Sequence, residues 1–160
     1  ILEYGREYDA VFCHGQDWVP ADFEAIISGH LALANTIAAR GRPIVVEDTD
    51  AVQTLVWAEA LLGRCSELLV EMARGSVLGK TYLVLDHTTP WYDDGTRHFQ
   101  DPARRAWFTK RLCEWLDEFN ADWHLVEGAD WVVRQAIALA RLDAINDIYT
   151  HNESREDIHP

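Results

Sequence analysis

Positive charge is scarce in this chain. Its 160 residues carry 14 Lys and Arg against 27 Asp and Glu, a formal net charge of −13. A surface that acidic repels nucleic acid and anionic lipid, and neither is expected as a partner. It still admits a phosphate-bearing ligand, because a local basic site or a bound cation inverts the field nearby. Long apolar runs are missing as well. None approaches the roughly 20 residues needed to span a bilayer, so no membrane role is expected. The start shows no signal-peptide pattern, which fits an expected cytoplasmic protein. Cysteine is sparse: Cys13, Cys65 and Cys113 are odd in number and far apart, neither a disulfide framework nor a zinc pattern. The seven histidines show no metal-ligand spacing. No internal repeat or low-complexity segment is present.

What is present is an ordinary globular composition. Apolar residues make up 48% and charged residues 26%, enough for one domain with a proper core and unlike a disordered chain. The most informative stretch is Pro-Ile-Val-Val-Glu-Asp-Thr-Asp at residues 43–50. The β-branched run predicts a buried strand over residues 44–47. Strands buried on both faces belong to parallel sheets, whose ligands bind beyond the carboxyl ends of the strands. Asp48 and Asp50 stand at such an end and suit a hard cation such as Mg²⁺. The competing reading is that they cap the next helix.

The remaining chain alternates in the same manner. Residues 1–8 begin as a strand end, and residues 8–19 read as a loop or irregular helix. A helix starts at Pro20 and stops at Gly41, with Phe23, Ile26, Ile27, Leu31, Ala34, Ile37 and Ala38 on one stripe. A second helix spans residues 51–62 and ends at Gly63. A third, capped by Ser66, runs through Ala73 and closes at Gly75. Residues 82–86 are a strand ending in Asp86. Asp101 and Pro102 open a helix striped by Phe108, Leu112, Trp115, Leu116 and Phe119. Residues 123–127 form another strand, Asp130 caps a last helix, and residues 146–160 read as a polar tail. Strands alternating with helices give an α/β class with a mostly parallel sheet.

Such a sheet calls for a test of phosphate binding. The loop G-x-x-x-x-G-K-[ST] must follow a strand and open a helix. Gly75-Ser76-Val77-Leu78-Gly79-Lys80-Thr81 has the letters but one spacer too few, and Lys80-Thr81 leads into a strand. A strand start offers no converging backbone N–H groups, so this is a turn and not a phosphate cradle.

Three motifs in order are similar to the nicotinamide riboside kinase domain of NadR-like proteins. They are Glu3-Tyr4-Gly5-Arg6-Glu7, Asp48-Thr49-Asp50 after an apolar run, and Trp91-Tyr92-Asp93-Asp94-Gly95-Thr96-Arg97. The resemblance covers residues 1–145, with residues 87–101 as a lid. It implies the P-loop kinase fold, a three-layer α/β sandwich with a mostly parallel sheet. In that family the phosphate loop precedes the residues that match Glu3 to Glu7. The first, central strand and the P-loop are therefore expected upstream of Ile1, and residues 1–160 alone are expected to be inactive. The implied reaction moves the γ-phosphoryl group of ATP to the 5′-hydroxyl of nicotinamide riboside, with Mg²⁺, giving nicotinamide mononucleotide.

Phosphoryl transfer needs positioning, charge neutralisation and a group that orients the nucleophile. The resemblance implies Asp48 as base or Mg²⁺-linked carboxylate, with Asp50 beside it as a second metal ligand. Glu3, expected at a strand end, can accept the hydroxyl proton or hold the ribose. Tyr4 falls among the implied substrate contacts, and Arg6 suits bidentate phosphate pairing. An internal salt bridge among Glu3, Arg6 and Glu7 is the structural alternative. Arg97 would meet developing phosphate charge as the lid closes. Asp93 or Asp94 would hold the ribose or the pyridinium, and Trp91 or Tyr92 would stack on that ring. His30 reads as a satisfied core histidine. Trp57, Trp107, Trp115, Trp123 and Trp131 read as packing. A homo-oligomer is compatible with all of this. Two other readings stand beside it: a P-loop kinase for another nucleoside or small hydroxyl substrate, and a non-catalytic ligand-sensing module.

Overall fold

A computed structural model describes residues 3–15, 18–41, 44–93, 99–128 and 130–156. In chain order the elements are helices α1 (Tyr4–Tyr8), α2 (Pro20–Ala38), α3 (Ala51–Leu62) and α4 (Glu67–Ser76). Strand β1 (Thr81–Leu85), helix α5 (Pro102–Glu118), strand β2 (Asp122–Val126) and helix α6 (Trp131–Glu156) follow. A single π-helical turn, Asp9–Cys13, continues α1. Among the described residues, β1 and β2 pair as a two-stranded parallel sheet. The fold is helix-rich α/β.

Local chemistry explains most boundaries. Pro20 occupies the first turn of α2, and the Asp22 carboxylate reaches back to accept from the Val19 N–H at 2.8 Å. The Asp50 carboxylate caps α3 by accepting from the N–H groups of Val52 and Gln53. Gly63 ends α3 at φ 70°, a left-handed position that glycine takes without steric cost. Ser66 caps α4, accepting from the Leu69 N–H at 3.1 Å. Asp101 and Asp130 likewise accept from N–H groups in the first turns of α5 and α6.

The structure departs from expectation in four places. Residues 44–47 are irregular and not a strand. Val46 is 63% exposed where a doubly covered strand would be buried. Residues 4–8 are helical, with Glu3 at the helix start, and the strand end expected at residues 1–2 lies outside the described residues. Helix α4 continues through Gly75 to Ser76. Helix α6 runs on through Glu156 where a tail was expected, because no glycine or proline interrupts residues 131–159.

The chain divides into two compact units. One comprises residues 1–82 and 110–122, the other residues 83–109 and 123–160. In the first, α2 packs on α3 and α4, α3 packs on α4, and α1 rests on α2. Its core includes Phe23, Ile27, Leu55, Leu69 and Leu116, each essentially removed from water. Such side chains contribute about 1.5–3 kcal/mol each. The Tyr4 ring occupies the space beside Gly29 of α2, where a Cβ would overlap it. Arg111 grips Glu59 with two hydrogen bonds, 2.7 and 2.8 Å, and its guanidinium lies 4.5 Å from the Trp115 ring centroid. The second unit holds the buried Val84, Val126 and Arg134.

Candidate functional site

Two clusters of polar side chains stand out, one in each unit. The first surrounds the turn at residues 47–50. His30, buried on the apolar face of α2, lies with Nε2 2.7 Å from Glu47 Oε2. The Lys80 ammonium donates to the same oxygen at 2.9 Å and lies 3.7 Å from Asp50 Oδ2. Tyr82 donates its hydroxyl proton to Asp50 Oδ2 at 2.6 Å. The Asp50 carbonyl accepts from the Thr54 N–H and hydroxyl. Burial opposes ionisation of Glu47, but the hydrogen bonds from His30 and Lys80 outweigh it and hold its carboxyl down at about 2. Burial, reinforced by the Asp50 charge, pushes the Tyr82 phenol above its ordinary range.

Between these anchored residues the turn is strained. Thr49 sits at φ 63°, and a β-branched residue in the left-handed region is an outlier. Its hydroxyl donates to the Asp48 carbonyl at 2.5 Å. Asp48 itself is exposed. The two aspartates therefore do different things. Asp50 is buried and spends one carboxylate oxygen on the α3 cap and the other on Tyr82 and Lys80. Asp48 projects to solvent. Among the described residues no group of three His, Cys, Asp or Glu side chains is arranged to hold a metal. Mg²⁺ keeps several waters and needs only one or two protein carboxylates. Asp48 fits that requirement and Asp50 does not.

The Glu3 and Arg6 side chains pair with each other at 2.5 Å, the structural alternative to a substrate contact. Tyr4 rests against Gly29. His30 is satisfied, as read from its apolar helix face.

The second cluster lies in the other unit, at the carboxyl end of β1. Asp86 accepts from the Thr88 N–H and hydroxyl and from the Gly128 N–H. Arg134, buried in the first turn of α6, forms an ion pair with Asp86. It also donates to the Asp86 carbonyl at 2.6 Å and to the Gly128 carbonyl. Burial lowers the Arg134 pKa from its ordinary value. Beyond this anchor, Arg105 of α5 donates to the Thr89 carbonyl at 2.9 Å. Among the described residues, Thr89 Oγ1, Trp91 Nε1 and Arg105 Nε are buried and find no hydrogen-bond partner. Buried polar atoms are ordinarily paired, so ligand or water is the ordinary complement of such atoms. Tyr92 and Asp93 are exposed. Asp94 and Arg97 lie outside the described residues.

Sequence reasoning missed Glu47, Lys80, Tyr82 and Arg134. In the sequence Lys80 stands in a false phosphate loop, and its partners lie 33 and 30 residues away in the chain. No local pattern announces such pairs. Arg134, four residues after the Asp130 cap, carried a faint signal as a lone cation in an apolar first turn.

Residues 1–134 match the AAA domain family, a P-loop family. The chain belongs to that family. This AAA domain is also similar to the trifunctional NAD biosynthesis/regulator protein NadR of Escherichia coli (strain K12). The two are 29% identical over 136 residues, which covers 81% of this chain and 32% of the relative. NadR of Salmonella typhimurium (strain LT2) matches at the same identity and coverage. The chain thus spans about a third of the length of the curated relatives it matches. These similarities support a P-loop, nucleotide-kinase-like function. Among the described residues, no helix is long and apolar enough to cross a membrane.

Proposed function

We propose that this domain takes part in ATP-dependent phosphorylation of nicotinamide riboside to nicotinamide mononucleotide, in the cytoplasm, within NAD salvage. The observation that carries the reading is the similarity to two NadR proteins, which are named for NAD biosynthesis and its regulation. The three ordered motifs at residues 3–7, 48–50 and 91–97 support it.

Within this reading, Asp48 is the exposed carboxylate that accepts the proton of the attacking hydroxyl or orients it. Mg²⁺, when bound, would neutralise phosphate charge, and Asp48 is the residue that would hold it as the alternative to serving as base. Asp50 is assigned to the cap and to the Tyr82 and Lys80 contacts, and Glu3 and Arg6 to their own ion pair. Trp91 and Tyr92 offer aromatic faces to a cationic pyridinium ring, a contact favourable by about 0.5–2 kcal/mol. Asp93 and Asp94 supply acceptors for ribose hydroxyls, and Arg97 supplies charge-assisted donors to the transferring phosphoryl group. The buried atoms of Thr89, Trp91 and Arg105 that find no partner among the described residues support a ligand-binding role for the loop that begins at His87.

The test is turnover by the full-length protein with ATP, Mg²⁺ and nicotinamide riboside, read as nicotinamide mononucleotide formed. Adenosine, uridine and nicotinic acid riboside run alongside as competing acceptors. Selective formation of nicotinamide mononucleotide supports the proposal. Preference for another nucleoside moves the assignment to that acceptor, and nucleotide binding without any turnover favours a sensing module.

A further inference from the structure

One contact falls outside the roles assigned above. The Lys80 ammonium bridges the residues on either side of the Asp48-Thr49 pair, 2.9 Å from Glu47 Oε2 and 3.7 Å from Asp50 Oδ2. Each of those carboxylates is also held from a second element. His30 of α2 lies 2.7 Å from Glu47, and Tyr82 of β1 lies 2.6 Å from Asp50. The α3 cap fixes the other oxygen of Asp50. Both ends of a four-residue turn are therefore immobilised, while the middle carries Thr49 at φ 63° and the exposed Asp48.

A β-branched residue persists in the left-handed region only where its surroundings over-determine it. Here the over-determining contacts are visible, and a single ammonium links both ends. Released from it, Thr49 would relax toward negative φ. Such a change would re-aim the preceding residue, because one altered φ rotates the chain on one side relative to the other.

We propose that Lys80 is a positioning residue: by tying Glu47 to Asp50 it holds Thr49 left-handed and so sets the direction in which Asp48 projects. The inference rests on the assignment of Asp48 to phosphoryl transfer made above. It gives a role to the Gly79-Lys80-Thr81 segment, which resembles a phosphate loop in its letters but spends its lysine on two carboxylates. A lysine suits this place because its compact ammonium can approach two separate acceptors, where a planar guanidinium favours one carboxylate face.

The experiment is a double-mutant cycle in the full-length protein, read as kcat and KM for nicotinamide riboside and ATP. Lys80→Met is expected to lower kcat by about 10-fold or more, with both KM values within about threefold, because an interaction acting only on the chemical step is lost. Made in a Thr49→Gly background, Lys80→Met should lower kcat by less than about threefold, since glycine adopts positive φ without restraint. An equal loss in both backgrounds overturns the positioning role and leaves Lys80 merely structural. If Lys80→Met does not fold by its thermal transition, Tyr82→Phe replaces it. That variant is nearly isosteric, removes one hold on Asp50, and should show the same dependence on Thr49→Gly. Undiminished turnover in Lys80→Met, together with a dead Asp48→Ala variant, overturns this inference alone. Undiminished turnover in Asp48→Ala overturns the assignment beneath it.

Discussion

Arg134 closes on Asp86 from the first turn of α6, joining that helix to the end of β1 through a buried ion pair. The guanidinium also reaches the Asp86 and Gly128 carbonyls, so it ties the chain after β1 to the chain after β2. Removing one partner of such a pair leaves an uncompensated buried charge. Arg134→Ala should therefore destabilise the protein by about 3–5 kcal/mol. Urea unfolding followed by circular dichroism checks this, and an unchanged midpoint would show the pair to be idle.

Glu59 and Arg111 form a second anchor, between α3 and α5. Burial raises the Glu59 carboxyl, yet the two hydrogen bonds from Arg111 outweigh it and leave its pKa below the ordinary value. Those bonds in turn hold the Arg111 guanidinium above its ordinary range. Lysine cannot reproduce the two-pronged geometry or the stacking on Trp115. Arg111→Lys should cost about 1–2 kcal/mol despite keeping the charge. Thermal melting compared with Lys110→Arg, an exposed neighbour, separates a specific loss from a general one.

Acid should weaken the fold through Glu47. Its folded pKa of about 2 lies below the ordinary 4.5, so the charged form is favoured by folding. That contribution is complete above about pH 4.5, declines as pH falls, and is gone below about pH 2. The proton taken up in this window breaks the contacts to His30 and Lys80. Stability measured from pH 6 to pH 2 should fall less steeply in Glu47→Gln than in the natural sequence. Parallel curves would assign the acid transition to other carboxylates.

Asp48 and Asp50 should separate cleanly under mutation. Asp50→Ala removes an N-cap and the partner of Tyr82, and should cost about 1–2 kcal/mol of stability. Asp48→Ala touches an exposed side chain and should move stability by less than about 0.5 kcal/mol. In the full-length protein it should nevertheless lower kcat by at least ~100-fold, as should Arg97→Ala, by analogy with losing one charge-stabilising group. Calorimetry and turnover measured on the same preparations decide the matter. A stable, fully active Asp48→Ala variant removes that residue from the site.

Legibility from sequence followed the range of the forces involved. The Asp50, Ser66, Asp101 and Asp130 caps, the prolines opening α2 and α5, and the glycine ending α3 were all readable. Each acts within about one helical turn. The stripe through Phe23, Ile26, Ile27 and Ala34 was readable because it repeats at the helical period. Residues 44–47 were misread because a short apolar run specifies burial, not pairing, and pairing depends on a neighbour. Residues 4–8 were misread because a five-residue segment carries too little periodicity to tell strand from helix. Of the proposed site, Asp48 and the Trp91–Asp93 segment are candidates that the sequence offers by itself. The holders of the Asp48 turn are not, since Lys80 and Tyr82 lie 30 or more residues from their partners in the chain.

The residues alone determined the acidic surface, the α/β alternation, the helix caps and the family membership, all properties of composition or of neighbours in the chain. Only the tertiary structure decided how the two aspartates divide their roles. Asp50 became a buried cap because Tyr82 and Lys80 fold back onto it. Asp48 was left exposed on a strained turn because Thr49 is held left-handed between anchored ends. Chain order places these two carboxylates two positions apart and says nothing of this, since burial and strain are set by what packs around a turn and not by the turn's own letters.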